Sequence, residues 1–227
     1  MKTADVREAL PVMPGADEAY CLARQKLHDA ERAMRDHIES VAAMRRELPA
    51  GPIVRDYEFQ QGEKRVKLSE LFTGGKNELI IYHLMYWADD DEFCPMCSMW
   101  IDGLDAVAPH LDQRANFAVA TRASTQRLQE WAAQRGWRRA RLLSDVGSDF
   151  ARDTGAENAK GEPIETVAVF TKNGAEIRSS YLAHAFMFEE WRFIDLLSPV
   201  WQMFDLLPSG RDDWHPTNDY IRERGSP

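Results

Sequence analysis

The sequence predicts an α/β protein built on a mixed β-sheet. Between residues 53 and 185 the apolar pattern switches repeatedly between the two-residue period of strands and the helical period. The segment GGKNELIIYHLMYW (74–87) holds a near-continuous apolar run, as a strand buried on both faces requires. TVAVF (166–170) and AEIRSSY (175–181) flank Lys172-Asn173-Gly174, a strong hairpin signal.

The first predicted element is a long helix over residues 17–48. Asp17 suits its N-cap, and Pro49, Gly51 and Pro52 end it. Leu27, Met34, Val41 and Leu48 recur every seven residues, with Ala23, Ala30, His37 and Met44 four residues before each. This heptad seam, weakened by His37 and two alanines, suits either an amphipathic helix on the chain's own core or pairing with a second subunit. Residues 1–52 are therefore expected as a helical N-terminal extension, and residues 53–185 as the central domain.

Within that domain, Val54–Phe59 reads as a short strand and Leu68–Phe72 as a helical turn opened around Ser69. The apolar strand follows. Next comes a helix after Cys94, with Trp100, Ile101, Leu104, Val107, Ala108 and Leu111 at helical spacing. NFAVAT (116–121) is a strand. Ser124 caps a helix carrying Leu128, Trp131 and Ala132 that stops at Gly136. ARLLSD (140–145) is a weak strand and SDFARDTG (148–155) a short helix. The order β-α-β-α-β-α-β-β gives parallel strands through helical crossovers, with one edge made antiparallel by the hairpin. Residues 186–207 are rich in large apolar side chains, from Phe186 and Trp191 to Trp201 and Leu207. A helix, then a second short one after Pro199, is expected here. This 186–227 extension packs on the domain or forms a subunit interface.

Composition narrows the function classes. The 227-residue chain is 44% hydrophobic and 29% charged, as an ordinary globular protein is. Its net charge of -9 disfavours nucleic acid and anionic membrane surfaces as partners. No apolar run approaches bilayer-spanning length, and the first residues lack a signal-peptide stretch, so a cytoplasmic protein is expected. Three cysteines are too few for a disulfide-stapled scaffold.

One motif carries chemistry: Cys94-Pro95-Met96-Cys97, after a buried strand and at the start of a helix. Unpaired N–H groups and the positive end of the helix dipole favour a thiolate there. Pro95 fits the first turn because its missing N–H is not needed. Cys94 is expected to be exposed and to attack; Cys97, one turn on, resolves the mixed disulfide. No bound cofactor is required, and the partner is a thiol- or disulfide-bearing protein or small molecule.

Other roles for the motif compete. Two helical cysteines can be inert core residues. A structural zinc site needs four ligands, and no second C-x-x-C exists. Asp89, Asp90, Asp91 and Glu92 oppose a nearby thiolate unless this acidic loop points into solvent. His83, in the apolar strand, reads as a hydrogen-bonded core residue or as a pocket residue beside the cysteines.

Taken together, the charged N-terminal helix, LPAGPIVRDYEF (48–59), LSELFTGGKNELIIYHLMY (68–86), CPMCSMWIDGLDAVAPHL (94–111), LLSDVGSDFARDTG (142–155) and DLLPSGRDDW (205–214) resemble the bacterial thioredoxin-like family known as domain of unknown function 899. The resemblance implies a three-layer thioredoxin-like fold of peroxiredoxin-like layout, with Cys94 and Cys97 at the thioredoxin active-site position. It puts Glu165 where thioredoxins carry a cis-proline, with Thr166 next. A trans bond is expected at Glu165, because a cis non-proline bond costs about 3 kcal/mol. Asp91 falls where peroxiredoxins carry a threonine, which leaves peroxidase activity without its motif. Arg122, after the strand, is an active-site arginine by that analogy or else a surface residue. Tyr86 and Thr166 line the pocket by fold analogy.

The leading expectation is a thiol–disulfide oxidoreductase. A Cu(I)-binding or delivery protein is the alternative, with Cys94, Cys97 and His184 as ligands and the soft Met96 and Met99 nearby. A third is a non-catalytic dimeric interaction protein with idle thiols. A homodimer through the N-terminal helix and the C-terminal aromatic segment is expected.

Overall fold

A computed structural model of the chain describes residues 10–184, 199–209 and 216–218. It divides into two compact units, Met1–Pro49 and Ala50–Pro227.

The first unit holds α1 (Glu18–Arg46), a 29-residue helix. The Asp17 carboxylate accepts from the Tyr20 amide at 2.7 Å, satisfying one orphan donor of the first turn. Arg45 and Arg46 complement the dipole at the other end. None of the residues of α1 is buried, and Leu27, Met34 and Met44 of the heptad seam are all exposed.

The second unit is organised by a seven-stranded sheet. Its strands are β1 (Glu58–Gln61), β2 (Lys64–Lys67), β3 (Glu78–His83), β6 (Asn116–Thr121), β7 (Arg141–Ser144), β8 (Thr166–Asn173) and β9 (Glu176–His184), in the order β2-β1-β7-β6-β3-β8-β9. A separate two-stranded hairpin joins β4 (Tyr86–Trp87) to β5 (Glu92–Phe93). The helices are α2 (Pro95–Leu111), α3 (Thr125–Arg135), α4 (Phe150–Asp153) and α5 (Pro199–Phe204), with a 3-10 turn over Leu68–Leu71. The strands β3, β6 and β7 are parallel, and β8 and β9 run antiparallel to their neighbours. This is the thioredoxin-like layout.

Side-chain alternation along β3 explains the three layers. Ile80 and Tyr82 face one core with Trp100 and Ile101 of α2 and Leu128 and Trp131 of α3. Leu79 and Ile81 face the other, with Phe59, Leu68, Leu71, Phe150 and Phe170. The strand needs apolar side chains on both faces, hence its unbroken run.

The remaining elements follow local chemistry. Ser124 caps α3 through its hydroxyl, and Gly136 closes it at φ +81°, a left-handed conformation that favours glycine. Gly174, at φ +60°, begins the two-residue turn between β8 and β9. Asp105, buried in α2, accepts the amides of Arg138, Arg139 and Ala140 at 2.8–3.0 Å and so fixes the entry to β7. Replacing Asp105 with alanine strands these donors. A loss of about 2–3 kcal/mol in urea unfolding is expected.

Three expectations change. Both sheet edges are antiparallel, because β1 and β2 form a second hairpin beside β7. The sequence KRVK hid β2, since an edge strand facing solvent carries little apolar signal. The strand expected over Val54–Phe59 starts instead at Glu58: Val54 bonds to Ile177, and Asp56 binds the amide and hydroxyl of Ser69. The apolar run also breaks after His83, and its last two residues turn into β4. Helix α5 begins at Pro199 as expected; the helix expected over the preceding aromatic segment lies outside the described residues. Among the described residues, no helix is long and apolar enough to cross a membrane.

Candidate active site

The β4–β5 hairpin delivers Cys94 to the start of α2. The Leu84 amide bonds to the Ala120 carbonyl at 2.8 Å, and the Cys94 amide to that of Met85 at 3.2 Å. At its tip Asp91 adopts φ +50° and is held by the Tyr86 hydroxyl at 2.7 Å and Arg127 Nε at 2.6 Å. The Arg127 guanidinium also lies 5.1 Å from the Phe93 ring centroid. Thus Asp91 is a latch for the hairpin. Asp89, Asp90, Asp91 and Glu92 are all exposed. From the far end of the chain, the buried Asn218 donates to the Phe93 carbonyl at 3.1 Å.

Cys94 is the N-cap of α2 and Pro95 opens its first turn. The Cys94 sulfur accepts from the Cys97 amide at 3.4 Å. Cys94 is partly exposed, whereas Cys97 is 1% exposed. Hydrogen bonding from the Cys97 thiol, helped by the amides of Cys97 and Met96, holds the Cys94 thiol below its ordinary value. Burial and the charge of Glu92 oppose this. Burial pushes the Cys97 thiol well up, with Cys94 and Glu165 adding to the rise and a hydrogen bond to Tyr82 resisting it. The geometry prepares one reactive sulfur and keeps the second protonated beside it.

Strand parity decides which other candidates reach the sulfurs. Tyr82 pairs with Val167, and both pack in the core that contains Cys97. Tyr82 carried no sequence signal of its own. His83 faces the other way: its Nε2 lies 3.1 Å from Asp145 Oδ2, and its ring stacks on Phe150. It is a hydrogen-bonded core residue on the opposite side of the sheet from Cys97, not a pocket residue beside the cysteines. Thr166 pairs with His83 and shares that side. So does His184, which pairs with Thr166 and lies next to Gly155. The set Cys94, Cys97 and His184 is therefore not brought together. Among the described residues, no group of three or more His, Cys, Asp or Glu side chains is placed to hold a metal ion.

Glu165 immediately precedes β8, next to Thr166. It is 5% exposed, its Oε2 has no hydrogen-bond partner among the described residues, and its charge is felt at Cys97 and Tyr82. Burial raises its carboxyl from 4.5 to about 8, against a hydrogen bond from its own backbone amide and with the charge of Cys94 adding to the rise. No cis peptide bond occurs among the described residues. Met96 packs at the edge of the Cys97 core. Arg122 forms an ion pair with Glu157. It lines a cavity of about 390 Å³ together with Tyr86, Trp87 and Lys160.

Fold and site together define a thioredoxin-like protein with two cysteines at a helix N-terminus. The family model described as "Bacterial protein of unknown function (DUF899)" matches residues 12–225, and the chain belongs to that family. No curated protein matches it. Among solved structures it is similar to a bacterioferritin comigratory protein of Xanthomonas campestris, at 14% identity and a TM-score of 0.48, over 61% of this chain and 89% of that one. It is also similar to peroxidoxin BcpB of Mycobacterium tuberculosis, at 20% identity and a TM-score of 0.45, over 59% of this chain and 87% of that one. A mutant of peroxiredoxin Q of Xanthomonas campestris matches at 15% identity and a TM-score of 0.45, over 57% of this chain and 81% of that one.

Proposed function

We propose that the protein is a thiol–disulfide oxidoreductase whose couple is Cys94 and Cys97. The observation that carries this is the pairing itself: a partly exposed N-cap sulfur stabilised as thiolate, hydrogen-bonded by a buried thiol one turn on. Cys94 attacks a disulfide of the substrate, expels one thiolate and forms a mixed disulfide. Cys97 then attacks the Cys94 sulfur, releasing the second thiolate and closing the Cys94–Cys97 bond. A second thiol system returns the two electrons. Pro95 and Met96 shape the rim, and the partner is a thiol- or disulfide-bearing protein or small molecule. The unburied apolar stripe of α1 supports pairing with a second copy of the chain.

Equilibration in glutathione buffers tests the couple. Mass analysis after thiol trapping should show the two cysteines oxidising together, along a two-electron curve. Independent oxidation of each cysteine to a glutathione adduct, without the internal disulfide, would overturn the assignment.

A further inference from the structure

We infer that Asn218 is a positioning residue for the nucleophile: it fixes the peptide group that carries Cys94 and so sets the aim of the Cys94 sulfur. This rests on the dithiol reading and deepens it.

The hairpin geometry turns one polar atom outward. The Cys94 amide bonds to the Met85 carbonyl at 3.2 Å, and Tyr86 lies opposite Phe93. In an antiparallel ladder that pattern makes Tyr86 and Phe93 a pair without hydrogen bonds to each other. The Phe93 carbonyl therefore points out of the hairpin rather than at β4. Asn218 meets it there. Its side-chain amide donates to this oxygen at 3.1 Å, and the residue is 7% exposed. The peptide group between Phe93 and Cys94 is thus held at both ends, its N–H by Met85 and its C=O by Asn218.

The other half of the Asn218 amide is anchored too. Its Oδ1 accepts from Arg135 Nη1 at 3.1 Å. The Arg135 side chain is 1% exposed, pairs with Asp102 of α2, and stands 5.6 Å from the Trp131 ring centroid. Trp131 stacks on Phe93 at 5.4 Å and donates to the Ser98 hydroxyl, one residue past Cys97, at 3.1 Å. Asn218 therefore takes its position from α3 and, through Asp102 and Ser98, from the helix that begins at the dithiol.

The two partners of Asn218 make opposite demands, which separates positioning from tethering. An amide satisfies both, as donor to the carbonyl and acceptor from the arginine. A carboxylate would keep Arg135, through a charge-assisted bond, but has no proton for the Phe93 carbonyl. The peptide plane matters because Cys94 is the N-cap of α2, at φ −57°. A turn of that plane changes this φ and carries the sulfur away from the Cys97 amide, which it meets at 3.4 Å. A thiolate at a helix N-terminus depends on such donors.

Iodoacetamide labelling of Cys94 across pH, with urea unfolding run alongside, tests this. In Asn218→Ala the Cys94 midpoint is expected to rise by about one pH unit and labelling at pH 7 to slow by about tenfold, the scale of one lost hydrogen bond. In Asn218→Asp, which keeps the Arg135 contact, the midpoint should rise at least as far while urea stability stays close to wild type. Asn218→Leu fills the same space without the amide and replaces the alanine variant if that one does not fold. A wild-type midpoint and rate in the uncharged variant overturn the proposal, whatever happens to stability. If the wild-type Cys94 midpoint itself lies at the ordinary 9.0, it is the dithiol reading that fails.

Discussion

Cys94→Ser loses disulfide reduction by at least about a thousandfold, the scale expected when a covalent nucleophile is removed. The cause is specific to the sulfur. The N-cap position offers the amides of Met96 and Cys97 and the thiol of Cys97, which together favour a thiolate over a thiol. A serine hydroxyl ionises far too weakly to use the same donors. The partner substitution has a different signature. In Cys97→Ser the Cys94 thiolate keeps its amide donors, so attack continues, but nothing expels the second half of the substrate. Stoichiometric mixed disulfide at Cys94 is expected, visible by mass spectrometry and reversed by a small dithiol. Equal activity loss in both variants, without a trapped adduct, contradicts this division of roles.

The second large effect is on stability and its pH dependence. The Glu165 carboxyl is held from 4.5 up to about 8 in the fold, so the native state keeps a proton that the unfolded chain has released. Its favourable contribution is complete below about pH 4.5 and falls by roughly 1.4 kcal/mol per pH unit as pH rises toward 8, then levels off. Glu165→Gln mimics the protonated form and has no such slope. The variant should match wild type near pH 5. At pH 9 it should be more stable by about 3–5 kcal/mol in urea unfolding. Parallel stability curves for the two proteins would show that Glu165 ionises freely in the native state.

How much of this was legible in the sequence depends on what each signal measures. The caps at Asp17, Ser124 and Gly136 and the turn at Gly174 are local, and they mark their elements correctly. The apolar run of β3 reports two buried faces, so its place at the sheet centre was legible too. Cys94 and Cys97 stood out because two sulfurs and a proline at a strand–helix junction have a chemical reason to be there.

What the sequence hid is parity and pairing. His83, Thr166 and His184 share a sheet face only because three strands align them in one cross-strand row, which no local window reveals. The same alignment turns Tyr82 and Val167 into the core that holds Cys97. The β4–β5 hairpin was hidden because Tyr86 and Trp87 extend an apolar run, while the turn is made by Asp91, a residue that usually signals solvent. Its pairing with Tyr86 and Arg127 is visible only in three dimensions.

The central claim is that Cys94 is a reachable thiolate with Cys97 buried behind it. Alkylation of the reduced protein by iodoacetamide, followed residue by residue across pH, tests it most directly. The account predicts that Cys94 reacts with a midpoint below the ordinary thiol value of 9.0, while Cys97 stays unmodified in the native protein. Equal and slow labelling of both cysteines, or a Cys94 midpoint at or above that value, would contradict it.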